Sequence, residues 1–314
     1  MLNKITLYDF KTEPMGNDFI AQLKLVAHQI HVVLADNDYA GALTSDDLKN
    51  SEALVTRVFD NYPNEMFEGT AIKYIGSTHT DVSDFDLIAL NKKGITLTHV
   101  PSYCAQTIAE LTFGVLLSIA RQLPAAFNHT KQNKWNFQPF LGFELAGKKL
   151  GLIGMGKIGK RMVRIAQGFD MDVSYYSRTR KPEMEKKGVS FSNLPDLVSN
   201  SDILSIHTTL NKETSRFLDE DLLNRFQSNG IILNPSRAEL IDFDAVYKKC
   251  LESEITLWID ELHDSVWRNK FRNLDNVLMT PDFGWYTIEA QNRLKNITIQ
   301  NIKSYAEGKI VNKI

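Results

Sequence analysis

Residues 150–159 read Leu-Gly-Leu-Ile-Gly-Met-Gly-Lys-Ile-Gly, an apolar run that leads directly into a G-x-G-x-x-G turn. Beyond the turn, apolar side chains recur at helical spacing, at Ile158, Met162, Ile165 and Phe169. A short strand, a glycine turn and an amphipathic helix in this order predict the first βα unit of a doubly wound parallel sheet. This context favours a dinucleotide-binding turn over a purely structural glycine turn, which is the alternative.

The three glycines of the turn have separate predicted roles. Gly154 permits the tight turn, Gly156 lets the backbone approach a pyrophosphate, and Gly159 lets helix and strand pack closely. The helix N-terminus adds unpaired backbone N–H groups that face the phosphates. The predicted cofactor-binding turn therefore consists of Gly154, Met155, Gly156, Lys157, Ile158 and Gly159.

The end of the next predicted strand bears on the choice of cofactor. A fold that binds NAD usually places Asp or Glu about 20 residues further on, where it accepts from the ribose hydroxyls. Ser177 stands there instead, followed by Arg178 and Arg180. A hydroxyl and two guanidinium groups suit the 2′-phosphate of NADP(H). NADP(H) is therefore predicted over NAD(H), and the alternative is that these arginines only form a solvated loop.

Short apolar runs alternate with amphipathic stretches along the whole chain. Because this alternation is typical of βαβ units, it predicts an α/β fold with two doubly wound parallel sheets. The strands predicted for the larger sheet are 150–153, 173–176, 203–206, 231–234 and 256–259. Those predicted for a smaller domain are 5–8, 32–34, 53–55, 72–75 and 95–97. Between the two sets we predict a domain-bridging helix over 105–123 and then an aromatic arm that is a candidate oligomer contact.

Length and composition limit the classes of function. At about 150 residues per domain, the 314 residues predict two domains. Lys and Arg number 36 against 38 Asp and Glu, so the chain has no basic excess for a nucleic-acid partner. The longest apolar stretch, 111–120, falls short of the roughly 20 residues of a membrane helix, and the N-terminus alternates as a strand does. We expect a soluble protein without a membrane partner.

Cysteine and histidine positions argue against disulfide and metal frameworks. Cys104 and Cys250 provide neither a disulfide set nor a thiolate metal set. A reducing compartment, the cytoplasm, is the expected location. His28 and His31 lie three residues apart, as a pair on a helix surface would, and have no third ligand nearby. No metal site is predicted.

Further motifs resemble those of the D-isomer-specific 2-hydroxyacid dehydrogenase family, nearly end to end. They are Val100-Pro-Ser-Tyr-Cys-Ala-Gln-Thr-Ile-Ala-Glu110, Leu145-Ala-Gly-Lys148, Ser205-Ile-His207 with Leu210 and Glu213-Thr214, Asn234-Pro-Ser-Arg-Ala-Glu-Leu-Ile-Asp242, Ile259-Asp260 and Thr280-Pro-Asp-Phe-Gly-Trp-Tyr-Thr287.

The resemblance implies a dinucleotide-binding domain at 102–285 and a flavodoxin-like substrate domain made of 1–101 and 286–314. It also implies an active site in the cleft between them and a homodimer formed through the dinucleotide domain. The further cofactor contacts that it implies come from His207, Thr208, Thr209, Thr214, Pro235, Ser236, Arg237 and Asp260.

Members of this family use an Arg to hold and polarise the substrate, a His as proton donor and a Glu that keeps this His protonated. Arg237 matches the Arg. Asp282 stands at the position of the His, and Ser265, beside Asp264, stands where the Glu is expected. Because a carboxyl group starts from a pKa of about 3.9, Asp282 is predicted to be a poor proton donor unless burial raises this pKa by several units. Asp282 and Asp264 remain the candidate catalytic carboxyls.

The family also has a loop that presents backbone N–H groups to the substrate carboxylate and ends in glycine. The matching substrate loop is Thr78-His79-Thr80-Asp81, with Asp81 at the glycine position. A negative charge there is expected to repel an anionic substrate. His79 is a candidate relocated proton donor, and a merely solvated loop histidine is the alternative.

The resemblance therefore implies an oxidoreductase that transfers a hydride between NADP(H), or NAD(H), and a 2-oxo or 2-hydroxy acid or a related carbonyl compound. The departures from the family lie on the substrate side, whereas the glycine turn is intact. The alternative is a catalytically silent dinucleotide-binding protein with a regulatory or partner-binding role.

Overall fold

The apolar runs form two separate parallel sheets in the computed structural model, which describes residues 1–10, 12–35, 43–57 and 62–314, without the side chains of 12–17. Contacts divide the chain into unit 1, Met1–Tyr103 with Thr287–Ile314, and unit 2, Cys104–Tyr286. The predicted boundaries, after residues 101 and 285, lie next to the observed ones. The predicted α/β class with two parallel sheets is confirmed.

The elements are numbered in chain order. The strands are β1 (Leu2–Tyr8), β2 (Ala27–Val33), β3 (Ala53–Thr56), β4 (Tyr74–Ser77), β5 (Thr96–Thr98), β6 (Lys149–Ile153), β7 (Asp172–Tyr176), β8 (Ser190–Phe191), β9 (Ile203–Ile206), β10 (Gly230–Arg237), β11 (Ile255–Glu261) and β12 (Val277–Met279). The α-helices are α1 (Thr12–Leu23), α2 (Leu87–Lys92), α3 (Ala105–Ala120), α4 (Leu123–Lys131), α5 (Lys157–Gly168), α6 (Pro182–Glu185), α7 (Leu194–Ser199), α8 (Glu220–Arg225), α9 (Phe243–Leu251), α10 (Ser265–Phe271) and α11 (Ile288–Ala306).

Unit 2 contains the larger sheet, with strand order β12-β11-β10-β9-β6-β7-β8. Counted within the unit, this is 3-2-1-4-5-6-7, the Rossmann order extended by one strand. Alternate side chains of a strand enter two different cores. On β10, Ile231 and Leu233 pack in the core that includes α3 and α5, whereas Ile232 packs on the other face with α7, α8 and α9. Burial on both faces explains why the strands are almost continuously apolar in sequence.

The predicted helix over 105–123 is shorter than expected. It ends at Ala120, Gln122 adopts a left-handed conformation with φ of 51°, and α4 then starts at Leu123. Both helices belong to unit 2, so α3 is a core helix of that unit. Within the described ranges, no single helix is long and apolar enough to cross a membrane, and the bent pair of α3 and α4, at 61°, passes that test only when combined.

Unit 1 contains the smaller sheet, with the flavodoxin-like order β2-β1-β3-β4-β5. Its core includes Tyr8, Leu54, Ile75 and Leu97. The prediction that His28 and His31 lie on a helix is wrong, because both are on β2, where His31 is 3.6 Å from Asp47. The short strands β8 and β12 were not predicted, whereas β5, of three residues like β12, was.

Candidate functional site

The glycine turn connects β6 to α5, and its three glycines have three different surroundings. Gly154 has φ of +105°, and a Cβ there would lie 2.2 Å from the carbonyl oxygen of His207. A Cβ at Gly159 would lie 2.4 Å from the carbonyl oxygen of Gly154. A Cβ at Gly156 would meet nothing within 4 Å. Gly154 and Gly159 are therefore required by packing, whereas Gly156 faces open space.

That open space fits a pyrophosphate. Gly156 is the N-cap of the 12-residue helix α5 and provides no side-chain cap, so the first N–H groups of α5 are available to an anion. A side chain at position 156 would fill the place where the backbone approaches the phosphates. Of the remaining turn residues, Met155 is buried, and Lys157 and Ile158 begin α5.

The structure separates the two arginines that follow β7. Arg180 donates to Glu185 through Nε at 2.7 Å and through NH2 at 2.6 Å, and its guanidinium lies 5.3 Å from the centre of the Phe191 ring. The prediction that both guanidinium groups can serve a 2′-phosphate is therefore corrected, because Arg180 is already bound. Arg178 is exposed and makes no ion pair within the described part of the chain. Ser177 Oγ donates to Thr179 O at 2.7 Å.

The other predicted cofactor residues lie at the carboxyl edge of the larger sheet. His207, directly after β9, is buried, and its Nε2 is 2.8 Å from Ser205 Oγ. Burial lowers the pKa of His207 to about 3, so the ring is neutral.

Ser236 Oγ, after Pro235 on β10, donates to Ile206 O at 3.0 Å. Thr208 follows His207, and Thr214 Oγ1 donates to Thr209 O at 2.7 Å.

Arg237 ends β10 and meets two carboxylates. Its Nε lies 3.2 Å from Glu261 Oε1 and 3.5 Å from Glu239 Oε2. A register shift between Asn234 and Arg237 sets Arg237 opposite Glu261, the last residue of β11. Sequence analysis missed Glu261. The contact depends on this register shift, which the sequence does not show.

His263 and Asp282 complete this group. His263 Nε2 donates to Glu261 Oε1 at 3.1 Å, so one carboxylate oxygen faces both the imidazole and the Arg237 guanidinium. One polar atom from each of Glu261, His263 and Asp282 lies within 4.8 Å of the others. We call Arg237, Glu261, His263 and Asp282 the charged cluster.

Asp282 differs from an ordinary aspartate in two respects. It has φ of 50°, a left-handed conformation that non-glycine residues adopt infrequently. Burial raises its pKa to about 7, with further contributions from Glu261 and Asp260. The sequence indicated that Asp282 could donate a proton only if burial raised its pKa by several units. Its surroundings meet this condition.

Two other predicted site carboxyls have structural roles. Asp260 accepts from Thr280 Oγ1 at 2.5 Å, from Gly284 N at 2.8 Å and from Phe283 N at 3.4 Å. Both of its oxygens thus hold the loop after β12, and the cofactor contact that the resemblance implies for Asp260 stays a prediction. Asp264 caps α10 by accepting from Val266 N and Trp267 N, and this weighs against its predicted catalytic role.

The substrate loop of unit 1 follows β4. His79 is half-buried, and removal of the ring from water lowers its pKa to about 4. Neither interpretation of His79 fits this surrounding, because the ring is not simply solvated and is not an imidazolium at neutral pH. Asp81 accepts from Ser83 N at 3.0 Å, Thr80 Oγ1 donates to Val100 O at 2.9 Å, and Thr78 is buried.

Comparisons with known proteins identify the family of this chain. Residues 113–284 match the model of the D-isomer specific 2-hydroxyacid dehydrogenase, NAD binding domain. A glyoxylate reductase of Thermococcus litoralis is 32% identical over 84% of this chain and 83% of its own. The chain belongs to the D-isomer-specific 2-hydroxyacid dehydrogenase family.

Two solved structures extend the likeness of this family member to nearly the whole chain. An acyclic imino acid reductase in complex with NADPH and D-Arg superposes with a TM-score of 0.87, at 26% identity and 99% coverage of both chains. Apo D-lactate dehydrogenase from Escherichia coli superposes with a TM-score of 0.83, at 26% identity and 99% coverage of both chains.

Membership of this dehydrogenase family establishes the general function of the protein. The protein is an oxidoreductase of the 2-hydroxyacid dehydrogenase type with a nicotinamide dinucleotide cofactor and a small-molecule substrate. The comparisons give no support to a silent binding protein. The replacement of the family's His and Glu by Asp282 and Ser265 stays a prediction, and the structure places the charged cluster around Arg237.

Proposed function

We propose that the protein is an NADP(H)-linked reductase of a small 2-oxo acid or a related carbonyl compound. One observation supports this most directly: the glycine turn after β6 and the charged cluster after β10 and β11 belong to the same carboxyl edge of one doubly wound sheet. Ligands of such sheets bind outside the carboxyl ends of the strands. The turn would hold the dinucleotide, and Arg237 would face the substrate.

The preference for NADPH rests on Ser177 and Arg178. Position 177 is Ser and carries no carboxylate that would repel a 2′-phosphate, and exposed Arg178 offers this phosphate a guanidinium. The family relative that was solved with NADPH supports this choice.

Titration of cofactor fluorescence tests the preference. We expect NADPH to bind more tightly than NADH, and Ser177→Asp with Arg178→Ala to reverse the order. Arg180→Ala is the matched control, because Arg180 is bound to Glu185 and its removal leaves Arg178 in place. Equal affinities in the wild type, or an unchanged order in the double variant, contradict the assignment.

The chemistry of the site follows from its residues. The bound nicotinamide supplies the hydride. Arg237, whose planar guanidinium suits a carboxylate and a carbonyl oxygen, would orient the substrate and stabilise the charge that develops on that oxygen. A proton donor must then neutralise this oxygen.

Turnover is tested by NADPH oxidation with a panel of 2-oxo acids, aldehydes and ketones. We expect a 2-oxo acid or related carbonyl compound to be reduced, and Arg237→Lys to lose most of the rate, because an ammonium cannot pair with the substrate in two places. Unchanged turnover by Arg237→Lys contradicts the role of Arg237. An inactive wild type over the whole panel contradicts the proposed function.

A second candidate substrate is a C=N compound, an imino acid. The observation that favours it is the number of carboxyl groups near Arg237, namely Glu239, Glu261 and Asp282, because these would stabilise a cationic iminium. The acyclic imino acid reductase with a similar fold supports this candidate. Addition of ammonium to the 2-oxo acid assay distinguishes the two, since only C=N reduction yields a 2-amino acid.

We also propose a homodimer in which the arm after α4 is a contact. Trp135, Phe137 and Leu141 are 90%, 81% and 89% exposed. Three large apolar side chains exposed so fully within one short segment are typical of an interaction surface.

A further inference from the structure

We propose that His263, held by Glu261, is the proton donor of the reduction. This inference rests on the proposed function. The family's His and Glu are missing at positions 282 and 265, but the structure contains a His–Glu pair built from other positions beside the same arginine. The pair lies at the carboxyl end of β11, next to the residue that ends β10.

The hydrogen bond within the pair assigns the two imidazole nitrogens. His263 Nε2 donates to Glu261 Oε1 at 3.1 Å. In the described part of the chain, Nδ1 has no hydrogen-bond partner, so Nδ1 is the nitrogen that can give its proton to a substrate. The His263 side chain is 63% exposed, whereas that of Glu261 is 17% exposed. The carboxylate is thus fixed and the donor is accessible.

The charges that face His263 favour the imidazolium. The hydrogen bond from the ring to Glu261 raises the pKa of His263, the charges of Glu261 and Asp282 raise it further, and partial burial and Arg237 lower it. Among the described residues, these charged groups act on the ring. A raised pKa keeps more of the imidazole protonated near pH 7, as the family's Glu does for its His.

The other candidate donors are less suited. His79 has a pKa of about 4 and is neutral at pH 7, and Asp264 is engaged with the N-terminus of α10. Asp282, with a pKa of about 7, is the remaining competitor. Its protonated form, however, depends on burial and on neighbouring carboxylates, and a bound cationic group or a protonated His263 favours its ionised form. We therefore assign Asp282 to positioning and charge balance.

The proposed step balances as follows. The carbonyl carbon accepts the hydride that the cofactor supplies, and the π electrons of the C=O bond move to oxygen. The oxygen takes the proton of His263 Nδ1 and becomes a hydroxyl group. The imidazole is left neutral and regains a proton from water, so one hydride and one proton are consumed for each carbonyl group.

The same three side chains, Glu261, His263 and Asp282, lie close enough to hold a small cation. Arg237 argues against a cation, because its Nε lies 3.2 Å from the Glu261 oxygen that also faces His263. A metal ion there would have to displace or approach a fixed positive charge. A chelator is therefore part of the test.

The test compares His263→Gln and Asp282→Asn with the wild type, and His28→Gln, an exposed histidine of β2, is the matched control. We expect His263→Gln to lower kcat for a 2-oxo acid by about 10²- to 10⁴-fold with little change in KM, and to remove the alkaline limb of the pH profile. Asp282→Asn should shift this limb and retain more activity. With ammonium present, His263→Gln should keep its C=N reduction, because an iminium already carries its proton.

A measurement without turnover accompanies these assays. The pKa of His263, followed by NMR of the imidazole, should lie above 6.5 in the wild type and fall in Glu261→Gln. A value at or below 6.5, a His263→Gln rate within threefold of the wild type, or loss of activity with a chelator overturns the proposal. An active wild type with an active His263→Gln refutes only the donor assignment, whereas an inactive wild type refutes the proposed function as well.

Discussion

A single carboxyl group, Asp282, links the charge of the candidate site to pH. It lies among Glu261, Asp260, Arg237 and His263, and burial together with the two acidic neighbours raises its pKa to about 7 from an ordinary value of 3.8. Its left-handed backbone conformation adds local strain of a kind that is found at functional sites. Position 282 therefore has a stability cost that an uncharged side chain would not have.

Asp282→Asn should reveal this cost. Between pH 4 and pH 7 the folded state binds more protons at Asp282 than the unfolded state does. The contribution of Asp282 to the free energy of unfolding therefore falls over this range and is lost once the pH has risen through about 7. We expect the free energy of unfolding of Asp282→Asn, relative to the wild type, to increase from pH 5 to pH 8 by about 1–2 kcal/mol. Urea unfolding at the two pH values measures it. Asp275→Asn, at an exposed position, is the control, and an equal pH dependence in Asp282→Asn and wild type contradicts the prediction.

The sequence predicted Arg237 and the replacement at Asp282, because both lie in recognisable motifs. It could not predict Glu261, since the contact depends on the register shift that sets Arg237 opposite Glu261. Nor could it predict the pKa of Asp282, which depends on burial by residues distant in sequence. The hydrogen bonds from Arg180 to Glu185 are local, five residues apart, but Glu183 lies at a similar spacing, and the sequence alone does not decide between the two.

At the scale of elements, the β6–α5 turn combines two kinds of glycine. Gly159 is needed because the helix passes close to the Gly154 carbonyl group, whereas Gly156 borders open space. We expect Gly156→Val to abolish dinucleotide binding and to leave the protein folded, because the side chain takes the place of the pyrophosphate. Calorimetry with NADPH and thermal unfolding measure the two effects.

Gly159→Ala is the matched comparison. A Cβ there would lie 2.4 Å from a backbone oxygen. This variant should therefore lower the thermal stability of the protein, whereas Gly156→Val should lower only its cofactor binding. If Gly156→Val binds NADPH as the wild type does, the turn has only a structural role.

Asp264, at the start of α10, can be tested separately for a capping role and for a catalytic role. Asp264 accepts from two backbone N–H groups of this helix. We expect Asp264→Ala to reduce the free energy of unfolding by about 0.5–2 kcal/mol, with kcat changed by less than about threefold. Asp264→Asn keeps an N-cap and should restore the stability. A large loss of kcat in Asp264→Asn at normal stability would return Asp264 to the catalytic residues.

The end of α3 shows where helix periodicity is uninformative. Leu123 follows Arg121 and Gln122 at helical spacing from Ala120, so the spacing predicted a helix as far as residue 123. The chain breaks instead at Gln122, and Pro124 lies in the first turn of the next helix. Proline is favoured at that point because its missing N–H is unpaired there in any case. Pro124 was therefore the available signal.

At the scale of the whole molecule, the exposed arm is the feature that most directly predicts assembly. Changing Trp135, Phe137 and Leu141 to Ser should convert a dimer into a monomer, because it removes the apolar surface that association would bury. Light scattering after size-exclusion chromatography measures the mass. Leu25→Ser, at an exposed apolar position of unit 1, is the control. A wild type that is monomeric at micromolar concentration contradicts the proposed homodimer.

Unit 1 is built from two separated parts of the chain. Tyr305 of α11 stacks on Tyr74 of β4 with 4.4 Å between ring centres, and Ile314 N donates to Leu97 O at 3.1 Å. Unit 2 is continuous. During synthesis on the ribosome, unit 2 therefore has all of its strands before unit 1 has its last helix, although unit 1 begins first. We expect the order of folding to be the reverse of the order of translation, with nascent unit 1 exposed to chaperones until α11 emerges.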